Sequence, residues 1–407
     1  MVDGDRLWER HEQMAGIGAT GRGGVCRLAL TPEDTAGRAL LISWGRGLGL
    51  SAQMDPIGNL FLRREGRDPK AAPVVTGSHL DTQPTGGKYD GIYGVLAGLE
   101  VLESFAERAI VPRRPIELVV WTDEEGVRFQ PTTMGSAVHA GAVRLEEALA
   151  ARDEAGVTAA EALAAQVAAL SGVGRRSLGL PAHAYVEAHI EQGPVLEAAG
   201  RVIGAVTGIQ GLRQFAVTLK GEEAHAGTTP ASRRRDAFAA AHRIVAALNR
   251  LMEDPSETTR FTIGRFSAAP GSPNTVPSRV EFTIDLRHPD AGTLDRLTDG
   301  IAEACRREAP PCSAQVTALL DSSPVAFDPA MVERVRVVAR RCGFDPLDIL
   351  SGATHDAKFM AGLCPTAMVF IPCRGGVSHN ESEAAEPEHL VAGAEVLADV
   401  LRGLAED

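Results

Sequence analysis

No apolar run in this sequence approaches the ~20 residues that a membrane-spanning helix needs, so a helical bilayer protein is excluded. Positive charge is not in excess either. The formal net charge is −12, and the arginines are scattered among acids as on a solvated surface, which argues against nucleic acid as a partner. Cysteine is sparse. The six thiols, at 26, 305, 312, 342, 364 and 373, include no Cys-x-x-Cys pair and read as the reduced, buried thiols of a cytosolic protein. The first residues, Met1-Val2-Asp3-Gly4-Asp5, are acidic and lack the apolar core of a signal peptide, in keeping with a cytoplasmic location. There is no short-period repeat and no long low-complexity tract. The alanine-rich stretch 148–169 reads as helix and covering loop.

What is present is enough chain for two cores. At 407 residues, with 44% apolar and 23% charged side chains, an ordinary soluble protein of two domains is expected. Helical spacing over 33–50 and 91–107 alternates with apolar strands over 73–76, 115–122 and 184–190. That order predicts an α/β domain: a mixed, mostly parallel sheet with helices on both faces, and functional groups at the carboxyl ends of the strands. The texture changes near Gly208. A strand over 213–220, a helix over 236–252, strands over 259–267 and 279–287, a helix over 292–308 and a strand over 314–320 make a ferredoxin-like α+β unit. The first texture then returns, with a helix over 329–342, strands over 347–351 and 366–371 and a helix over 385–403. The expectation is one discontinuous catalytic domain, 1–208 and 328–407, interrupted by an inserted domain, 209–327. Inserted domains that face a site are natural lids.

The chemistry gathers in Gly77-Ser78-His79-Leu80-Asp81-Thr82, Gly86-Gly87-Lys88-Tyr89-Asp90-Gly91 and Glu124-Glu125, with further candidates at His189 and His379. If strand geometry persists, His79 and Asp81 share a face, so the carboxylate can fix a metal-ligating ring from behind. Taken alone, His-x-Asp more often marks a structural histidine. Asp90, in a glycine-rich turn, can bridge two cations or simply cap the helix that follows. Two adjacent carboxylates after a buried strand are harder to explain as a solvated loop: pointing opposite ways, one can ligate while the other serves as general base. A lone histidine at 189 or 379 would mean little. The set carries the argument, because all five candidate ligands fall at strand ends or in loops of one predicted domain.

Taken together these residues resemble the hydantoinase/carbamoylase amidases. That group holds N-carbamoyl-L-amino acid hydrolases, β-ureidopropionases and allantoate amidohydrolases, within the superfamily of dizinc exopeptidases and aminoacylases. The likeness runs from about residue 15 to 403 and includes GSHLDTQPTGGKYDG, WTDEEGVRF, MGSAVHAG, HIEQGPVLE, AHAGTTP, PNTVP, DLRHPD, SGATHDA and GVSHNESE. HIEQGP discriminates most, since the peptidase relatives differ there. The resemblance implies that His79, Asp90 and His189 hold one metal, and that Asp90, Glu125 and His379 hold the other. Glu124 would be the general base and Asp81 the partner of His79. It implies two divalent ions per subunit, Zn first, with Mn, Co or Ni compatible with the same ligands. Substrate recognition would fall to Gln192, His225, Asn274 and Arg287, with His225 donating to the developing oxyanion and Arg287 gripping a carboxylate. Thr354 and His355 are expected to join the substrate-binding set; Thr354 stands where relatives often carry a small residue, so the pocket wall near His355 is expected to be tighter. His139 stands where an aromatic is common and is read as structural.

The expected function is a cytosolic amidohydrolase cleaving N-carbamoyl-L-amino acids to amino acid, ammonia and carbon dioxide. Its substrate is a small ureido or amide compound with a carboxylate, and the resemblance implies a homodimer through the inserted domain. Allantoate amidohydrolase and β-ureidopropionase are the nearest rivals. A metal-binding protein without catalysis is the rival from another class, disfavoured by the intact Glu124.

Overall fold

The computed structural model describes residues 2–179 and 181–407. The chain divides into two compact units, 1–208 with 326–407 and 209–325.

In chain order the strands are β1 Ser51–Met54, β2 Leu60–Arg64, β3 Val74–His79, β4 Ile116–Trp121, β5 Gly174–Arg175, β6 Ala184–Ile190, β7 Gly204–Ile209, β8 Gly211–Lys220, β9 Ala224–His225, β10 Arg260–Ala269, β11 Thr275–Val276, β12 Arg279–His288, β13 Ser313–Ser322, β14 Val325–Ala326, β15 Leu347–Ser351 and β16 Thr366–Ile371. The central sheet runs β7–β16–β6–β3–β4–β2–β1–β5. Its middle is parallel: β3 pairs in that sense with both β4 and β6, and β16 with β6. Every residue of β3, β4, β6 and β16 is buried, as apolar strands covered on both faces must be. The helix Ile92–Glu107 is buried along most of its circumference. The helix Pro32–Gly47 starts where Thr31 accepts the Asp34 N–H and proline occupies the first turn, a favourable N-terminal arrangement. A helix over Gly4–Ala15, not legible beforehand, buries Leu7, His11 and Met14, one turn apart on a single face. Strands β1, β2 and β7 were also missed: they are short and carry too few residues to display a period.

The smaller unit is an antiparallel sheet in the order β10–β12–β8–β13 with helices Ala237–Leu251 and Ala291–Glu308. That order with two helices is the ferredoxin-like arrangement. Alternation along β12 sends Val280, Phe282, Ile284 and Leu286 into a core shared with Ile244, Leu248, Leu294 and Ile301. His225 on β9 pairs with Thr275 on β11 in a separate two-stranded ribbon.

Candidate dinuclear metal centre

Three parallel strands end at the same place. His79 is the last residue of β3, Glu124 and Glu125 follow β4, and His189 is the penultimate residue of β6. The glycine turn before the helix Ile92–Glu107 brings Asp90 between them. The two Asp90 oxygens face different partners. Oδ1 lies 3.3 Å from His189 Nε2 and 3.8 Å from His79 Nε2. Oδ2 lies 3.2 Å from His379 Nε2, which is 3.5 Å from Glu125 Oε2. Ligands about 2.1 Å from a tetrahedral ion stand about 3.4 Å apart. The two triads, His79–Asp90–His189 and Asp90–Glu125–His379, therefore have the spacing and donor types of a carboxylate-bridged pair of divalent cations.

A third grouping, Glu187–His189–His355, is equally compact. Its carboxylate is already engaged: Glu187 accepts from Ser78 Oγ at 2.7 Å, from the Tyr185 hydroxyl at 3.1 Å and from the Ala357 N–H at 3.1 Å. Glu187 thus serves as a buttress beneath His189, two residues along the same strand face.

Adjacent carboxylates in an extended strand would diverge. Instead Asp123 adopts a left-handed conformation, φ 55°, and the chain turns there. Glu124 Oε2 then lies 3.5 Å from His79 Nε2, while Glu125 faces His379. The expected role of Asp81 also takes a different form. His79 Nδ1 bonds the Asp81 backbone carbonyl at 2.9 Å, and the nearer carboxylate oxygen is 3.8 Å away. The carboxylate accepts the N–H groups of Glu124, at 3.3 Å, and Glu125, at 3.1 Å. One residue thereby fixes both the ring and the acidic pair.

The cluster is electrostatically loaded. Burial, then repulsion from Asp356, Glu125, Asp81 and Asp90, holds Glu124 well above the usual carboxylate range. Burial and the Asp90 charge push Glu125 up to about 8. Burial opposes ionisation of Asp90, but its hydrogen bonds with His189 and His379 keep it well below the usual range. Burial draws His189 down, yet its bond to Asp90 prevails and leaves it at about 9. Acids crowded this closely suit a centre that is completed by cations.

Gln192 Nε2 donates to Asp90 Oδ2 at 2.8 Å, and its Oε1 is buried without a hydrogen-bond partner among the described residues. His355 is buried, bonds Ser351 Oγ through Nε2 at 2.9 Å and sets its ring 4.5 Å from that of His189; Thr354 precedes it. His139 packs against Trp121 and Phe61 and lies 3.3 Å from Asp55 Oδ2, a structural place.

The other recognition candidates belong to the smaller unit. His225 Nδ1 accepts the N–H groups of Gly227, at 3.1 Å, and Thr228, at 3.2 Å, so Nε2 carries the hydrogen and can donate. Asn274 lies beside it, its carbonyl accepting the Ala226 N–H at 3.0 Å. Arg287, at the end of β12, grips Asp285 through Nε at 2.8 Å and Nη2 at 3.3 Å.

Sequence reasoning passed over Ser378 and Glu383, which bond Asp90; Glu187, which lies beside His189; and Asp356, whose charge bears on Glu124. Three of them lie inside the stretches GVSHNESE and SGATHDA, so proximity to ligands along the chain was the available signal.

Residues 75–403 match the model of the peptidase family M20/M25/M40. The chain belongs to this family. Its enzymes are metal-dependent hydrolases with a dinuclear centre. The chain is 42% identical to an N-carbamoyl-L-amino-acid amidohydrolase of Rhizobium meliloti, over 97% of its own length and 95% of that protein's. It is 36% identical to an allantoate amidohydrolase of Bacillus subtilis, over 97% and 96%. Among solved structures, a hydantoinase/carbamoylase family amidase from Burkholderia multivorans superposes with a TM-score of 0.94 at 47% identity, covering 100% of this chain and 98% of that one. The M20 fold and the resemblance read from the motifs are thus the same conclusion reached twice. No helix among the described residues is long and apolar enough to cross a membrane.

Proposed function

We propose that this M20 enzyme hydrolyses the carbamoyl C–N bond of N-carbamoyl-L-amino acids, releasing the amino acid, ammonia and carbon dioxide. One observation carries the reading: Asp90 turns one oxygen to a pair of histidines and the other to a histidine–carboxylate pair, with a further carboxylate, Glu124, beside them. Relatives named for this activity, at 36–42% identity across nearly the whole chain, support the substrate class.

His79, Asp90 and His189 would hold one ion and Asp90, Glu125 and His379 the other, Zn before Mn, Co or Ni. Bound there, the ions supply Lewis acidity toward the ureido carbonyl and lower the pKa of the attacking water. Glu124 takes the proton from that water and delivers it to the departing nitrogen. Asp81, holding the Glu124 and Glu125 amides, keeps the base and its neighbouring ligand in register. Gln192 offers Oε1 to a substrate N–H. The family resemblance supports His225 as oxyanion donor, Arg287 as the carboxylate's partner, and Asn274, Thr354 and His355 as further recognition groups. It also supports a cytoplasmic homodimer formed through residues 209–325. There, Phe238 and Phe266 are 51% and 45% exposed and meet edge to face at 6.1 Å, beside the open edge of β10.

The test is hydrolysis of N-carbamoyl-L-methionine by metal-reconstituted protein with and without chelator, alongside N-carbamoyl-β-alanine and allantoate. Chelator-sensitive turnover, fastest on the carbamoyl-α-amino acid, is expected. Preference for allantoate would reassign the substrate, and no turnover on any ureido compound would sink the proposal. Light scattering that found only monomer would remove the dimer.

A further inference from the structure

Asp90 and His379 come from distant parts of the chain, and a single buried carboxylate ties them together. Glu383 Oε1 accepts the backbone N–H of Tyr89 at 2.9 Å and that of Asp90 at 3.1 Å. Its Oε2 lies 2.9 Å from Ser378 Oγ, and the same hydroxyl lies 3.1 Å from Asp90 Oδ2. Gln192 Nε2 donates to Ser378 Oγ at 3.2 Å. The loop is moulded around this side chain: a Cβ built on Gly87 would fall 2.1 Å from Glu383 Oε1, so only glycine lets the backbone pass. The segment carrying Glu383 is itself held. Glu381 accepts from Thr20 Oγ1 at 2.6 Å and pairs with Arg22 at 2.6 Å.

We propose that Glu383 is a positioning residue that sets the Asp90–His379 separation, with Ser378 relaying it to the side chain of the bridging carboxylate. The inference rests on the preceding reading that these triads hold two ions. The geometry distinguishes this role from that of an ordinary loop anchor. Glu383 holds the backbone of one ligand, and through Ser378 it reaches both that ligand's oxygen and the residue adjoining the other ligand. A pure loop anchor would need only the first contact. Losing Glu383 would therefore loosen the Asp90–Glu125–His379 half more than the His79–Asp90–His189 half. Outer partners of metal ligands are typically worth about 10–100-fold in metal affinity.

The experiment titrates zinc into metal-free parent, Glu383→Ala, Glu383→Gln and Ser378→Ala proteins by calorimetry, with thermal unfolding of each metal-free form measured beside it. The parent is expected to bind two ions. Glu383→Ala is expected to weaken one of them by about 10–100-fold and leave the other near its parental affinity. Glu383→Gln should recover most of the loss, because its carbonyl oxygen still accepts both N–H groups and its amide still meets Ser378. Ser378→Ala should weaken the same ion, and it decides the matter if Glu383→Ala does not fold. Unchanged affinity for both ions in Glu383→Ala, or in Ser378→Ala where the former is unfolded, overturns the clamp even if unfolding temperatures fall. A parent protein that takes up fewer than two ions overturns the clamp and the reading beneath it together.

Discussion

Glu124 Oε2 stands 3.5 Å from His79 Nε2, the same nitrogen that faces Asp90 across 3.8 Å. The proposed base and a proposed ligand therefore converge on one point, and a substitution can tell the two roles apart. Glu124→Gln keeps the size of the side chain and removes its basicity, so metal content should stay at the parental level while kcat falls by about 10²–10⁴. Turnover near the parental rate, with metal content unchanged, would take the base assignment away from Glu124.

Gly91 has φ 70°, and a Cβ there would lie 2.3 Å from His79 Nε2. The residue after Asp90 must be glycine both for its backbone and for the His79 ring packed on it. Gly91→Ala should cost about 1–3 kcal/mol in stability from the backbone alone. It should also displace the His79 imidazole, so the variant is expected to lose the ion held by His79 and His189 before the other. Urea unfolding and zinc stoichiometry measure the two effects. A variant with parental values for both would show that the turn tolerates a side chain.

Much of this was legible in the sequence. Strands β6 and β16 coincide with their expected ranges, because wholly buried apolar runs bounded by turn residues leave few alternatives; the five-residue β15 coincides too, without such a run. The candidate ligands His79, Glu125 and His189 were legible as a set because they sit at or just past the ends of buried strands. The arrangement that makes them work was not. The turn at Asp123 depends on a left-handed residue that nothing in its side chain announces. The bond from His79 to the Asp81 carbonyl, rather than its carboxylate, is a backbone feature invisible to residue type. Glu383 accepts the Asp90 N–H across 293 residues of sequence, and only folding brings them together.

His11 offers a pH test away from the ligands. Burial against Tyr89 and Tyr93 pushes its imidazole down to about 3, with the Lys88 carbonyl pulling weakly the other way. The folded state therefore keeps it neutral, whereas the unfolded chain protonates it near pH 6.5. The unfolded state binds more protons below that point, so this residue's contribution is fully present above pH 6.5 and is lost as pH falls toward 3. Between pH 7.5 and 5.5 the loss should be about 1.4 kcal/mol. His11→Leu should unfold with a shallower pH dependence over that interval, read from urea midpoints of the metal-free proteins. Identical slopes for the two proteins would mean that His11 titrates normally in the fold.

Arg287 is held in a planar grip by Asp285, a geometry that pre-orients its guanidinium. If it recognises the substrate carboxylate, Arg287→Ala should lower kcat/KM on N-carbamoyl-L-methionine by about 10–100-fold, mostly through KM. Activity on a ureido compound lacking the carboxylate should change little. An equal loss on both substrates would assign Arg287 to the stability of its own sheet instead.

The two candidate triads differ in access to solvent, and that difference predicts an order for the loss of metal. The His79 and His189 side chains are 2% and 1% exposed, whereas that of His379 is 51% exposed. A ligand open to water can swing away and be replaced, whereas rings locked through Nδ1 to the carbonyls of Asp81 and Ile190 cannot. Chelator should therefore strip the ion at Asp90, Glu125 and His379 first, and activity should vanish while about one ion per chain remains. His379→Ala should retain that slow ion and show only the slow phase. Metal content followed against time in chelator reads both results. Loss of two ions in a single phase, or a His379→Ala protein that holds none, would contradict the buried half as the tighter site.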